Sequence, residues 1–330
     1  MLTSQASAAL EAAVAEILTV PDLGHTLSLL VAHRGELVFE RWFGPAGPTE
    51  LHNLHSVTKS FVSTLVGILV GDGALSLDTP VSALLPGPRF EEDPAKAGIT
   101  VRHLLTMTSG LDASGRYDLD EINDRGEPWV DGVLRAPLAT PPGSSFLYSN
   151  GASHLLSAVI REVTARPVAD VAAERLFAPL GIHRWQWDTD PQGLHQGNTG
   201  LHLAPRDLVK LGLLYLDGGR WDGAQVLEGD WVQAATSPVT AGGPPEGCSY
   251  GLLWWADHRA TPPRYLAGGW GGQYVLVVPE LNLVIVTTAD SYAVPRPLGF
   301  LLRRLAEQTI IPAFTPGAAP SPPKAYTPTA

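Results

Sequence analysis

Ser56 and Lys59 stand three residues apart, where the loop 49–55 gives way to a strongly apolar run. Positions three apart share a helical face, so a helix starting here brings the Lys59 amine towards the Ser56 hydroxyl. The N-terminus of such a helix stabilises developing negative charge through its free N–H groups and its dipole. Lys59 is set among Val57, Phe61 and Val62. Desolvation there disfavours the ammonium form, the condition for a lysine to act as a general base. The same residues equally describe a helix cap beside a solvent-facing lysine. A second Ser-x-x-Lys, Ser321 to Lys324, lies in a Pro-rich tail. Its two intervening prolines rule out an ordinary helix interior, so it is a coincidence.

Two further clusters carry chemistry. Tyr148 and Asn150 form the only Tyr-x-Asn of the chain, between a Pro/Gly/Ser stretch and a helical pattern. A tyrosine on such a loop can relay a proton between nucleophile and leaving group, and the asparagine amide can orient substrate and lysine. Asn150 also suits a helix N-cap, and both roles are compatible. Near the C-terminus, Gly268, Gly269, Trp270, Gly271, Gly272 and Gln273 lead into an apolar run at 274–278. Glycines let a substrate approach the strand backbone, whose N–H groups can then face an oxyanion. A Gly-rich hairpin or bulge with no such role fits that motif as well.

The elements that must position these residues follow from periodicity. Helical spacing marks 6–18, 56–72, 101–108, 150–164, 168–177, 205–216, 229–236 and 297–310. Apolar runs at 26–33 and 36–43 around Arg34 and Gly35 make a hairpin, and runs at 250–255, 274–278 and 283–288 are strands. Strands at both ends and helices between them imply an α/β unit, residues 1–52 with 238–313, and an inserted mainly helical unit, 53–237. Residues 314–330 form a Pro/Ala-rich tail with no packed core. A cleft between two such units is a natural ligand site.

Composition narrows the function classes. A formal net charge of −11 disfavours nucleic acid and anionic membranes as partners, because phosphate binding needs clustered Lys and Arg. The single cysteine, Cys248, excludes an intrachain disulfide and a thiolate metal cluster. The ten histidines include no compact zinc motif, and no lysine follows a glycine as a Walker A loop requires. The start of the chain lacks a basic and apolar leader and no apolar run is long enough to span a bilayer, so a cytoplasmic location is expected. Oligomeric state is not legible.

Order and spacing of the three clusters resemble the serine β-lactamase and penicillin-recognising esterase superfamily, in particular class C β-lactamases, their esterase relatives and the 6-aminohexanoate-oligomer hydrolases. The resemblance extends through 104–111, 204–212, 251–255 and 272–279, and covers about residues 25–312. It implies an α/β (α+β) fold in which an antiparallel sheet is flanked by N- and C-terminal helices and carries an inserted helical domain, with the Gly-rich motif on an edge strand. It implies acylation of Ser56, with Lys59 and Tyr148 handling protons. Asn150, Trp270, Gly271 and Gly272 would bind substrate, and the backbone N–H groups of Ser56 and Gln273 would form the oxyanion hole. No metal or organic cofactor is implied. The substrate would be a small ester, with amides and β-lactams as alternatives.

One departure bears on the substrate. The family's third motif carries Lys or His where this chain has Trp270, whose indole offers one N–H and no charge. A penicillin carboxylate should therefore bind weakly unless an arginine such as Arg264 substitutes. The region between Leu111 and Pro141 carries Asp118, Asp120, Glu121, Asp124, Glu127 and Asp131, fitting a gate over the cleft, a preference for a positively charged substrate group, or a plain solvated loop. Two rivals remain: a Gly-x-Ser-x-Gly around Ser249, which lacks the strand-before, helix-after context of a nucleophile elbow, and a non-catalytic relative that keeps the fold without turnover.

Overall fold

Arg34 and Gly35 adopt φ of +54° and +83°, the two left-handed residues that a tight hairpin turn needs to match strand twist. They join β1 (Thr26–His33) to β2 (Glu36–Trp42). The computed structural model describes residues 2–315 apart from 45–46, 86, 88–89, 91 and 294–297; the tail expected over 314–330, with Ser321 and Lys324, lies almost wholly outside the described residues.

The main sheet has eight strands. To β1 and β2 it adds β8 (Thr240–Gly243), β9 (Cys248–Tyr250), β10 (Trp255–Asp257), β11 (Arg264–Gly269), β12 (Gln273–Val278) and β13 (Leu283–Ala289). All neighbours are antiparallel, in the order β2-β1-β13-β12-β11-β10-β9-β8. Every residue of β12 and β13 is buried, because helices cover the centre of the sheet. Helix Pro205–Leu216 packs on β1, β12 and β13, while helix α1 (Ser4–Thr19) packs on the C-terminal helical segment that starts at Phe300. The short strands β3 (His52–Asn53), β4 (Trp185–Trp187) and β5 (Leu201–Leu203) form a second sheet, and β6 (Arg220–Trp221) and β7 (Ala224–Gln225) a two-stranded hairpin. Helix α2 (Thr58–Gly71) and helix α3 (Asn150–Thr164), both central to the site, lie in the helical stretch between the two sets of sheet strands.

Four expectations are corrected. Residues 250–255 are not one strand. The chain folds over between β9 and β10, with Leu253 at φ +58°, and its peptide groups bond outside the ladder. Ser60 and Ser63 of α2 donate to the carbonyls of Leu253 and Leu252 at 2.9 and 2.6 Å. The partner of β12 is β11, a strand not foreseen in 264–267. The Gly-rich motif is not on an edge strand, since β11 and β12 are both interior. The acidic region is not a bare loop either. It holds helices Leu119–Asp124 and Trp129–Arg135, anchored by buried Leu119, Ile122 and Trp129, with Glu127 paired to Arg125 and Arg135.

Candidate active site

Ser56 is the middle residue of a single 3₁₀ turn, His55–Val57, that runs directly into α2. His55, just before it, has φ +47°, a left-handed conformation costly for a residue with a Cβ. Two bonds hold it there. The His55 N–H donates to Asn53 Oδ1 at 2.9 Å, and its ring Nε2 lies 2.7 Å from Ser291 Oγ. Burial, reinforced by His202 and Lys59, pushes the His55 imidazole down to about 4, so the ring is neutral at pH 7.

Lys59, one helical turn on, is 1% exposed. Its Nζ is 2.8 Å from Ser56 Oγ, 2.9 Å from Asn150 Oδ1 and 2.9 Å from the Asn198 carbonyl oxygen. Burial pushes its pKa down to about 7, so the free amine is well populated at neutral pH. Partner chemistry then fixes its orientation. A neutral amine has two N–H donors and one lone pair. Asn150 Oδ1 and the Asn198 carbonyl can only accept, whereas the Ser56 hydroxyl can donate. The lone pair therefore faces Ser56.

Tyr148 ends the segment that precedes α3, and its hydroxyl is close enough to the Ser56 side chain to interact with it. Burial pushes the phenol far above its usual value, with Ser56 opposing, so it rests protonated. Its ring stacks on Trp255 of β10 at 5.6 Å and meets Tyr250 of β9 edge-on. Lys59 Nζ lies 5.0 Å from the ring centroid. Ser149 caps α3, accepting the Ala152 N–H at 3.0 Å, which leaves Asn150 as the first helical residue, with its side chain on Lys59 rather than spent as a cap.

Trp270, Gly271 and Gly272 form the turn between β11 and β12, closed by a Gly272 N–H bond to the Gly269 carbonyl at 3.3 Å. Gly271 and Gly272 have φ of +80° and +106°, which the missing Cβ permits. A Cβ at Gly269 would collide with the Leu54 carbonyl oxygen, so the strand end lies directly on the turn that carries Ser56. Trp270 is 40% exposed. Gln273 is fully buried, and its amide is committed to Ala289, donating to the carbonyl at 2.8 Å and accepting the N–H at 3.1 Å. Only its backbone remains for any substrate role.

Ser56, Lys59, Tyr148 and Asn150 thus meet at one point, with the Trp270 turn beside it. Sequence reasoning missed Asn198, which acts through a main-chain carbonyl that no side-chain pattern announces. It also missed the Trp255 and Tyr250 support of Tyr148. Arg264 does not reach for a substrate: its guanidinium faces Asp257 and Glu307 at 3.3 and 3.5 Å. Ser249 lies within β9, paired to Ala256, and His258 Nε2 sits 3.0 Å from the Thr236 carbonyl. Among the described residues, no group of three or more His, Cys, Asp or Glu could hold a metal ion, and no helix is long and apolar enough to cross a membrane.

Comparison with known proteins gives the family. The family described as Beta-lactamase matches residues 20–308. The chain belongs to the beta-lactamase family. It is 28% identical to the 6-aminohexanoate-dimer hydrolase of Paenarthrobacter ureafaciens over 81% of this chain and 74% of that protein. It is 35% identical to esterase EstB of Burkholderia gladioli over 46% of this chain and 44% of the relative. The octameric penicillin-binding protein homologue from Pyrococcus abyssi shares the fold, with a TM-score of 0.69 at 20% identity over 92% of this chain and 77% of that one. This chain is accordingly a beta-lactamase-family serine hydrolase.

Proposed function

We propose that the chain is a carboxylesterase that acts on small, uncharged esters through an acyl-enzyme on Ser56. The observation that carries this is the threefold hold on Lys59 Nζ, which aims a neutral amine at the Ser56 hydroxyl from 2.8 Å. Lys59 removes the Ser56 proton as Oγ attacks the ester carbonyl. The developing oxyanion is stabilised by the Ser56 N–H and a backbone N–H of the 269–273 turn, Gln273 among them. Losing one such donor typically costs about 3 kcal/mol. Tyr148 gives its hydroxyl proton to the departing alkoxide and is reprotonated from Lys59. Water then attacks the acyl-enzyme, delivering its proton to the now neutral Lys59, and that proton passes to Ser56 Oγ as the acyl group leaves, regenerating Ser56. No step calls on a metal or organic cofactor.

Esters are preferred over penicillins because Trp270 brings an apolar, uncharged surface to the turn. Among the described residues, Arg264 is engaged by Asp257 and Glu307, and Arg303 by Glu246, Asp257 and Glu307. A substrate carboxylate recruiting either would have to displace one of these pairs. Amide hydrolysis is the second choice, favoured by the likeness to a 6-aminohexanoate-dimer hydrolase. Parallel assays with p-nitrophenyl butyrate, the 6-aminohexanoate dimer and a chromogenic cephalosporin decide between them. The ester should give the highest kcat/KM. A higher value for the dimer makes the chain an amidase, and one burst of product without turnover makes it an acyl-binding relative.

A further inference from the structure

Segment 195–198 is fastened to α3 along its length. Ser157 Oγ donates to the His195 carbonyl at 2.6 Å, and the Gly197 N–H donates to His154 Nδ1 at 3.4 Å. A Cβ at Gly197 would collide with the Ser153 carbonyl oxygen, so backbone lies on backbone there. On its other side, His154 Nε2 is 3.1 Å from Asp190 Oδ2. With Nδ1 accepting, Nε2 carries the ring N–H and donates it to that carboxylate. The second Asp190 oxygen accepts the N–H groups of Gln192 and Leu194 at 2.9 and 2.8 Å. Both side chains are essentially inaccessible, at 0% and 1% exposure, and the Trp129 ring closes on His154 at 5.1 Å.

Burying a carboxylate and an imidazole is costly, and apolar residues of similar volume would pack α3 at least as well. An apolar pair could not do one thing this pair does, which is to fix the placement of a single peptide. That peptide is Gln196–Gly197, whose N–H His154 accepts, and one residue further on the Asn198 carbonyl lies on Lys59 Nζ.

We propose that His154 and Asp190 are positioning residues for Lys59, holding the Gln196–Gly197 peptide and, through it, the adjoining Asn198 carbonyl, so that this carbonyl and Asn150 Oδ1 together turn the lysine lone pair onto Ser56. The proposal rests on Lys59 being the base that activates Ser56. Both acceptors are then referenced to one rigid element, since Asn150 is the first residue of α3 and the residues leading into Asn198, His195 and Gly197, are held on Ser153, His154 and Ser157. If the carbonyl drifts, the freed N–H turns towards Ser56 and the lone pair turns away. The ammonium form also loses an acceptor, so protonation of Lys59 becomes harder and the pH at which it becomes neutral falls. The titratable groups facing Lys59 are Tyr148, from the segment before α3, and His55, from its own turn. Both are neutral near pH 7, so neither masks the movement.

The test is the rate of Ser56 phosphonylation by a fluorophosphonate from pH 5 to 9, read by intact mass. It compares wild type with His154→Phe, His154→Asn and Gly197→Ala. The Phe variant removes the acceptor for the Gly197 N–H, whereas Asn returns an oxygen near the position of Nδ1. Gly197→Ala leaves His154 and Asp190 in place and displaces the peptide sterically. Expected are a fall of about 5- to 150-fold in His154→Phe and Gly197→Ala, the range for one buried N–H losing its acceptor, an acid limb moved to lower pH in both, and partial recovery in His154→Asn. If His154→Phe does not fold, Gly197→Ala decides alone. Folded variants labelled at the wild-type rate, or slowed equally at every pH with the limb unmoved, overturn the proposal. A wild type that takes no label at all overturns the Lys59–Ser56 assignment beneath it.

Discussion

Replacing Asn150 by aspartate changes one atom and places a carboxylate oxygen where Oδ1 now lies, 2.9 Å from Lys59 Nζ. Bare attraction at that distance is about 6 kcal/mol at an effective dielectric constant of ~20. Desolvating the new charge cancels part of it, and opposite charges this close typically move a pKa by about 1–3 units. Lys59 would rise from about 7 to roughly 8–10 by that shift. On the proposed mechanism the lysine is the base and must be neutral, so activity should climb with pH through its pKa and level above it. At pH 7 the neutral fraction would fall from about one half to between ~10% and ~0.1%, a loss of about 5- to 500-fold that alkaline pH restores. The assay is kcat/KM for a short p-nitrophenyl ester from pH 5.5 to 10.5, monitored at the nitrophenol isosbestic wavelength. The wild-type acid limb should sit near 7, with Asn150→Asp above it. Removing the acceptor in Asn150→Ala should move the limb below it. An Asn150→Asp limb at or below that of wild type would refute Lys59 as the base.

Three other outcomes are expected. Lys59→Ala should lower kcat by about 10²–10⁴-fold, the usual worth of a positioned general base, while near-UV circular dichroism stays native. Trp255→Ala withdraws the ring stacked on Tyr148 and opens a cavity, so thermal unfolding should show a loss of about 3–5 kcal/mol together with a lower kcat. Trp270→Lys places a cation on the turn and should lower KM for a penicillin relative to a neutral ester by about fivefold, the worth of roughly 1 kcal/mol for an exposed pair; an unchanged ratio would mean that the turn does not face the substrate's carboxylate position.

Local features of the sequence were the most legible. Three-residue spacing is a geometric statement once a helix is granted, and it put Ser56 and Lys59 together. Apolar periodicity marked α1, α2 and α3, and Arg34 with Gly35 announced the first hairpin. Less legible was whatever depends on backbone placed by distant packing. The run Tyr250 to Trp255 reads as a strand because every residue is apolar or glycine, yet serine hydroxyls of α2 capture its carbonyls and fold it over. Position 264–269 joins the sheet through pairing with β12, although Arg264, Ala267 and two glycines carry little strand signal. Lys59's third partner is a carbonyl, which every residue type possesses. His154 and Asp190, thirty-six residues apart, meet only because α3 and the 188–198 segment are packed side by side.

The most direct measurement is intact mass after fluorophosphonate treatment of the wild type, Ser56→Ala and Ser249→Ala. A single adduct on the wild type and on Ser249→Ala, absent from Ser56→Ala, is the predicted result and establishes Ser56 as the activated nucleophile. An adduct that persists in Ser56→Ala, or that disappears in Ser249→Ala, would contradict acylation at Ser56.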